Sequence, residues 1–194
     1  MSYVERRRFL WVLFLAGIAL AAVVANSTTL ARMSFDELAQ KSSALARLRC
    51  QGSESHWDGG ELWTETRFEV VERNKGLLGA SVTVRMLGGR ADGFTSRVDG
   101  VPAFRVGEEV YLFLWGKPGE PYRVLGWSQG TFRILRDART GTEKVTQESL
   151  SANFDQRTRQ FHTDVHADGI RGMALPAFQE RLRQALGRGV AVEH

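Results

Sequence analysis

Two hydrophobic patterns divide this chain. Phe9 to Ala25 is an unbroken apolar run without a single charge, whereas from Ala44 onward apolar positions alternate with polar ones in short stretches. Alternation with period two is the mark of strands that bury one face. It predicts strands at Ala44 to Gln51, Glu65 to Arg73, Ala80 to Leu87, Tyr122 to Gly126, Thr131 to Arg136 and Glu143 to Gln147. Glu109 to Trp115 (EVYLFLW) is nearly continuous in apolar residues, as expected of a strand covered on both faces. Glycine-rich breaks separate the runs at Gly59-Gly60, Gly88-Gly89, Pro118-Gly119, Gln129-Gly130 and Thr140-Gly141.

Two helices frame the strands. Ser34-Phe35-Asp36-Glu37 reads as a capping box, in which the Ser34 hydroxyl and the Glu37 carboxylate each satisfy the other residue's amide. A short helix from Phe35 to Ser42 follows, with Met33 and Leu38 placed for a hydrophobic staple. Near the other end, Pro176 suits a first helical turn. Phe178, Leu182, Ala185 and Leu186 then make one apolar face, and Gly187 is expected to end that helix. About seven short strands with turn-rich links predict a mainly β domain: a closed or partly open barrel of OB or netrin type, with a short N-terminal helix and a C-terminal amphipathic helix packed on it. The expected organisation is a leader over 1–25, a linker over 26–32, the barrel over 33–148, an irregular loop over 149–173, the helix over 174–187 and a tail over 188–194.

The apolar run at the start follows Arg6, Arg7 and Arg8, and a basic head before an apolar segment is an export address. As a helix the run would span about 25 Å against a hydrocarbon core of about 30 Å, which favours a cleaved signal over a retained anchor. Small residues at Val23 and Ala25 suit cleavage after Ala25, and a second candidate lies before Arg32. Arg6-Arg7-Arg8-Phe9-Leu10 also fits the core of a twin-arginine signal, although the strongly apolar run suits the general secretory route better. Either way the bulk of the chain is expected outside the cytoplasm, periplasmic or extracellular. The alternative is an inner-membrane anchor facing outward, with membrane contact only through the uncleaved segment.

Charge and cysteine narrow the picture. The formal charge is +4, and loss of Glu5 with the three leader arginines leaves about +2. A case for nucleic acid as partner thereby loses its main support. Cys50 is the single cysteine, so no intramolecular disulfide forms. In ALARLRC it continues the alternation and reads as a buried strand thiol, the competing reading being a nucleophile paired with His56.

Candidate binding chemistry centres on tryptophan. Trp57 and Trp63 flank the Asp58-Gly59-Gly60-Glu61 turn, and flat aromatic faces beside polar groups hold sugars or peptides. Trp57, Gly59, Gly60 and Trp63 are therefore the candidate contact surface, while Trp115 and Trp127 are expected to fill the core. His162 and His166 have the i, i+4 spacing that can share a metal on a helix, with Asp164 and Asp168 beside them. Two histidines do not complete a site, and the polar context around Gly169 favours a solvated loop. No cofactor motif occurs. The Lys and Ser/Thr of a phosphate-binding loop are missing near Gly88-Gly89, and neither a G-x-S-x-G elbow nor an H-E-x-x-H helix is present.

The order of these segments is familiar: an S-F-D-E-L helix, then E-V-V-E-R-N-K-G-L-L-G, V-P-A-F-R-V-G-E-E-V-Y-L-F-L, G-W-S-Q-G-T-F-R-I and a closing L-P-A-F-Q-E-R-L helix. Over residues 33 to 186 this resembles a group of uncharacterised exported bacterial proteins, which implies export and a β domain but no activity. More distantly it is similar to the netrin/TIMP-type barrel of metalloprotease inhibitors. Those inhibitors present an N-terminal cysteine to the protease metal and rely on disulfides, and Cys50 is internal and alone, so that mechanism does not carry over. The expected function is a non-enzymatic domain that binds an envelope or extracellular protein or glycan. A protease-associated domain, and a hydrolase using Cys50 or His162 and His166, are the alternatives.

Overall fold

The computed structural model describes residues 32–148, 153–155, 160–162 and 170–190. Helix α1 (Phe35–Lys41) is followed by β1 (Ala44–Asp58), β2 (Glu61–Lys75), β3 (Ser81–Leu87), β4 (Gly89–Ala91), β5 (Phe94–Ser96) and β6 (Glu109–Trp115). Then come β7 (Arg123–Val124), a 3₁₀ turn (Trp127–Gly130), β8 (Thr131–Arg136), β9 (Glu143–Gln147), β10 (Asn153–Asp155), β11 (Gln160–His162), β12 (Met173–Ala174) and helix α2 (Leu175–Val190). The main sheet runs β12-β9-β8-β6-β1-β2-β3, antiparallel throughout, with β7 paired to β6.

The fold is mainly β with a large antiparallel sheet and two helices among the described residues. The ladder does not close on itself. Residues 122–124 nevertheless lie between its parts: Tyr122 makes a parallel bridge to Val84, and Val124 pairs with Leu114 of β6.

Alternation along β6 builds two cores. Tyr111 and Phe113 face the helices and meet Phe35, Leu38, Phe132, Phe178 and Leu182. Val110, Leu112 and Leu114 face the other way and meet Leu48, Cys50, Phe68, Val84 and Val124. This is why EVYLFLW is apolar at nearly every position: side chains leave a strand on alternate sides, and here both sides are dry. On the helix side, Phe35 sits edge-on to Phe113, Phe132 and Phe178, with ring centroids 5.5, 5.6 and 5.7 Å away. The capping box at Ser34 and Glu37 forms as the sequence predicts, and Met33 and Leu38 both join that core.

Several elements extend beyond their predicted limits. β1 and β2 run to Asp58 and from Glu61, forming one long hairpin. The Ser/Thr-rich stretch near its tip lacks the apolar alternation that betrays a strand. Helix α2 continues through Gly187 to Val190, because a glycine ends a helix only where the chain also turns away. The β4–β5 ribbon carries Asp92-Gly93 at its turn, with φ of 51° and 79°, a two-residue turn of the primed kind. The stretch expected as an irregular loop contains the short β10–β11 pair.

Candidate functional site

The far end of the β1–β2 hairpin projects past both cores. Its turn, Asp58-Gly59-Gly60-Glu61, holds Gly59 at φ 60° and Gly60 at φ 82°, the left-handed backbone that a tight two-residue hairpin requires and that glycine adopts without strain. Register pairs His56 with Trp63 and Trp57 with Leu62, so the two tryptophans lie on opposite faces of the hairpin.

On the outer face, the Trp63 ring is flanked by two guanidinium groups. Arg85 of β3 lies 4.4 Å from its centroid and Arg123 of β7 lies 5.2 Å away. A cation over an aromatic face is held by the ring quadrupole. Arg85 is also paired with Asp58, and that hydrogen bond holds the Asp58 carboxyl below the usual range. His56 stands 3.9 Å from Glu65 across the strands. The result is an aromatic platform inside a mixed-charge rim.

On the inner face, hydroxyls replace the apolar residues found nearer the base. Ser53 meets Thr66 at 2.8 Å and Ser55 meets Thr64 at 2.8 Å. Thr64 donates its single hydroxyl hydrogen to the Gly88 carbonyl at 2.7 Å, so Ser55 is the donor to Thr64. Gly89 lies against this pair: a Cβ there would stand 2.2 Å from Thr64 Oγ1 and 2.3 Å from Ser55 Oγ, and its φ is 135°. The β4–β5 ribbon thus rests directly on the hairpin, and only glycine permits the approach. At its turn Phe94 meets Trp57 edge-on at 5.9 Å. Beside the ribbon, a cleft of about 520 Å³ opens between Ser53, Thr66, Met86 and the Val98–Phe104 loop.

Of the residues singled out in the sequence, Trp57 is 45% exposed, Gly59 and Gly60 are exposed, and Trp63 is half-buried under its arginines. Trp57, Gly59, Gly60 and Trp63 thus gather at one end of the hairpin, divided between its two faces. Trp115 departs from expectation: it is 57% exposed. It is the last residue of β6, where the strand has outrun both cores. Trp127 is half-buried and packs on the second core at φ 53°. Sequence reasoning missed Arg85, Arg123 and Phe94. The Asp92-Gly93 dipeptide marked the ribbon carrying Phe94, but the stacking arginines come from strands whose register no local pattern discloses.

The other candidates part company. Cys50 is buried in the second core and burial pushes its thiol pKa up, the reverse of an activated nucleophile. His56 lies on the exposed hairpin, away from that core. His162 ends β11, while His166, like Arg6, Arg7, Arg8 and Ala25, lies outside the described residues. Among the described residues no group of three or more His, Cys, Asp or Glu could hold a metal, and no helix is long and apolar enough to cross a membrane.

Charged residues nearer the base of the sheet are bound to one another. Burial would raise the Glu109 carboxyl, but hydrogen bonds from Arg49 and Arg47 outweigh it and hold the carboxyl below its usual value. Arg133 bridges Glu108, Glu148 and the Ala103 carbonyl, and burial pushes the Glu148 carboxyl up. The Tyr111 hydroxyl donates to Glu72 at 3.1 Å beneath Gln179, and burial raises its pKa to about 12. These groups are saturated by partners within the fold, as structural networks are.

No family model, curated protein or solved structure matches the chain.

Proposed function

We propose that this chain is an exported, non-enzymatic binding domain that takes an envelope or extracellular protein or glycan at the end of its β1–β2 hairpin. The observation that carries the reading is the pairing of an exposed Trp57 with a Trp63 platform flanked by Arg85 and Arg123. Aromatic faces ringed by hydrogen-bonding groups suit both sugar rings and peptide side chains. Burial of Cys50 speaks against the nucleophile alternative. In fold terms we read β1, β2, β3, β6 and the 122–124 segment as a partly open barrel of OB type, with the helices on its outer side. In such barrels the first hairpin loop and the neighbouring strand face are a common binding region.

The tryptophans make the test self-reporting. Purified protein is titrated with a panel of bacterial envelope glycans and with fractionated envelope proteins while tryptophan emission is followed. The expected result is a saturable change that Trp63→Ala removes. A panel that leaves emission unchanged, or a response that survives in the Trp57→Ala/Trp63→Ala double variant, contradicts the placement.

A further inference from the structure

β1 outruns its neighbour. Its register with β6 covers Ala44 to Arg49, and the contact ends with Cys50 N–H donating to the Glu108 carbonyl at 2.9 Å and Gly107 N–H donating to the Cys50 carbonyl at 2.8 Å. Beyond that point Gly52 to Asp58 pairs with β2 alone among the described residues. An edge of this length offers a row of backbone donors and acceptors to another strand. Charged side chains on an edge normally oppose pairing, so the sequence of the edge decides what it can accept.

We propose that its occupant is a second copy of this chain, joined antiparallel through the same edge with Ser55 on the twofold axis. In that register Glu54 lies across from the partner's His56, Ser53 across from the partner's Trp57, and Gly52 across from the partner's Asp58, each contact occurring twice. A twofold axis perpendicular to the sheet keeps every side chain on its own face, so only registers that pair residues of like parity are allowed. Of the two adjacent ones, the first sets Glu54 against the partner's Glu54 and the second sets Glu54 against the partner's Asp58. Like charges directly opposed are destabilising and unlike pairs favourable. Of these three registers, only the one centred on Ser55 sets Glu54 against a hydrogen-bond donor rather than another carboxylate. The imidazole can donate to Glu54 whether or not it is protonated.

The inner face supplies the second argument. Trp57 is 45% exposed, and the cleft of about 520 Å³ begins at Ser53 and runs to Val101 and Phe104. Setting Trp57 across from Ser53 points each indole at the mouth of the other copy's cleft. The association takes up Trp57 but leaves Trp63, Arg85 and Arg123 free on the outer face, so failure of the dimer and failure of the Trp63-reported ligand response are read separately.

The test uses the full chain. Glu54→Cys and His56→Cys variants are prepared separately, then oxidised alone and as a mixture. Cys50 is buried and adds no background. Directly opposed positions lie about 4.5–5.5 Å apart and crosslink, whereas Glu54 to the partner's Glu54 is a diagonal of about 7–8 Å. The expected result is a covalent dimer in the mixture, with far less in either variant alone. Sedimentation of the wild-type chain should show a dimer. Its dissociation constant should rise about tenfold or more in Glu54→Lys, rise in Trp57→Ala, and recover in Glu54→His/His56→Glu, which restores the complementarity in reverse. A chain that sediments as a monomer at its highest soluble concentration, or crosslinking no greater in the mixture than in the separate variants, overturns the proposal.

Discussion

The two ends of the β1–β2 hairpin share the same strands and have opposite characters. At the base, the inward positions are Ala46, Leu48, Cys50 and Phe68, all buried in the second core. Towards the tip the same face carries Ser53, Ser55, Thr64 and Thr66, joined in two hydroxyl pairs. The base is held by removal of apolar surface from water, which is strong and indifferent to partners. The tip is held by hydrogen bonds and stacking, each worth far less, and it keeps Trp57 in solvent. A sheet that invests its apolar residues at one end and its hydroxyls and tryptophans at the other can engage a ligand without disturbing its core.

The contrast predicts a gradient of damage. Phe68→Ala empties the space beneath Phe104, against which the ring packs edge-on at 5.0 Å. It should cost about 3–5 kcal/mol, read as a fall in the denaturant midpoint. Glu109→Gln, on the other face of the base, should cost about 2–3 kcal/mol at neutral pH, because it leaves Arg47 and Arg49 without their shared carboxylate. Its pH dependence has a defined sign. The folded carboxyl is held below its ordinary 4.5, so the stabilisation is complete above that pH and is lost as pH falls through the depressed value. The gap between wild type and Glu109→Gln should therefore narrow on acidification, in unfolding measured from pH 7 to pH 2. At the tip, Thr64→Val should cost only about 1–2 kcal/mol, by leaving the Gly88 carbonyl and the Ser55 hydroxyl without their partner. Its effect should be local, seen as faster amide exchange in the β4–β5 ribbon with little change elsewhere.

Local signals in the sequence anticipated what local physics controls. The capping box at Ser34, the two-sided burial of β6, the buried Cys50 and the amphipathic face of α2 all follow from residue type and spacing, and each is present. What the sequence concealed depends on register. The stretch from Gln51 to Ser55 reads as polar because its inward residues, Ser53 and Ser55, are hydroxyls paired with Thr66 and Thr64, and an alternation of serine with glutamate carries no hydrophobic period. The candidate site was legible only through the turn glycines and their flanking tryptophans. The guanidinium groups on either side of Trp63 arrive from β3 and β7, more than twenty residues and about sixty residues further along the chain, and only the pairing of strands brings them there. Trp115 was misplaced for the complementary reason: its residue type suggests core, but its position at the end of β6 lies beyond both cores.

The most direct test of a structural base joined to a binding tip is to measure stability and ligand response together in Trp63→Ala. The loss of two stacked guanidinium contacts predicts a cost of about 1–2 kcal/mol, well short of that for Phe68→Ala, together with loss of the tryptophan-reported response to the envelope panel. A Trp63→Ala chain that unfolds as readily as Phe68→Ala, or that keeps the full response, would contradict the account.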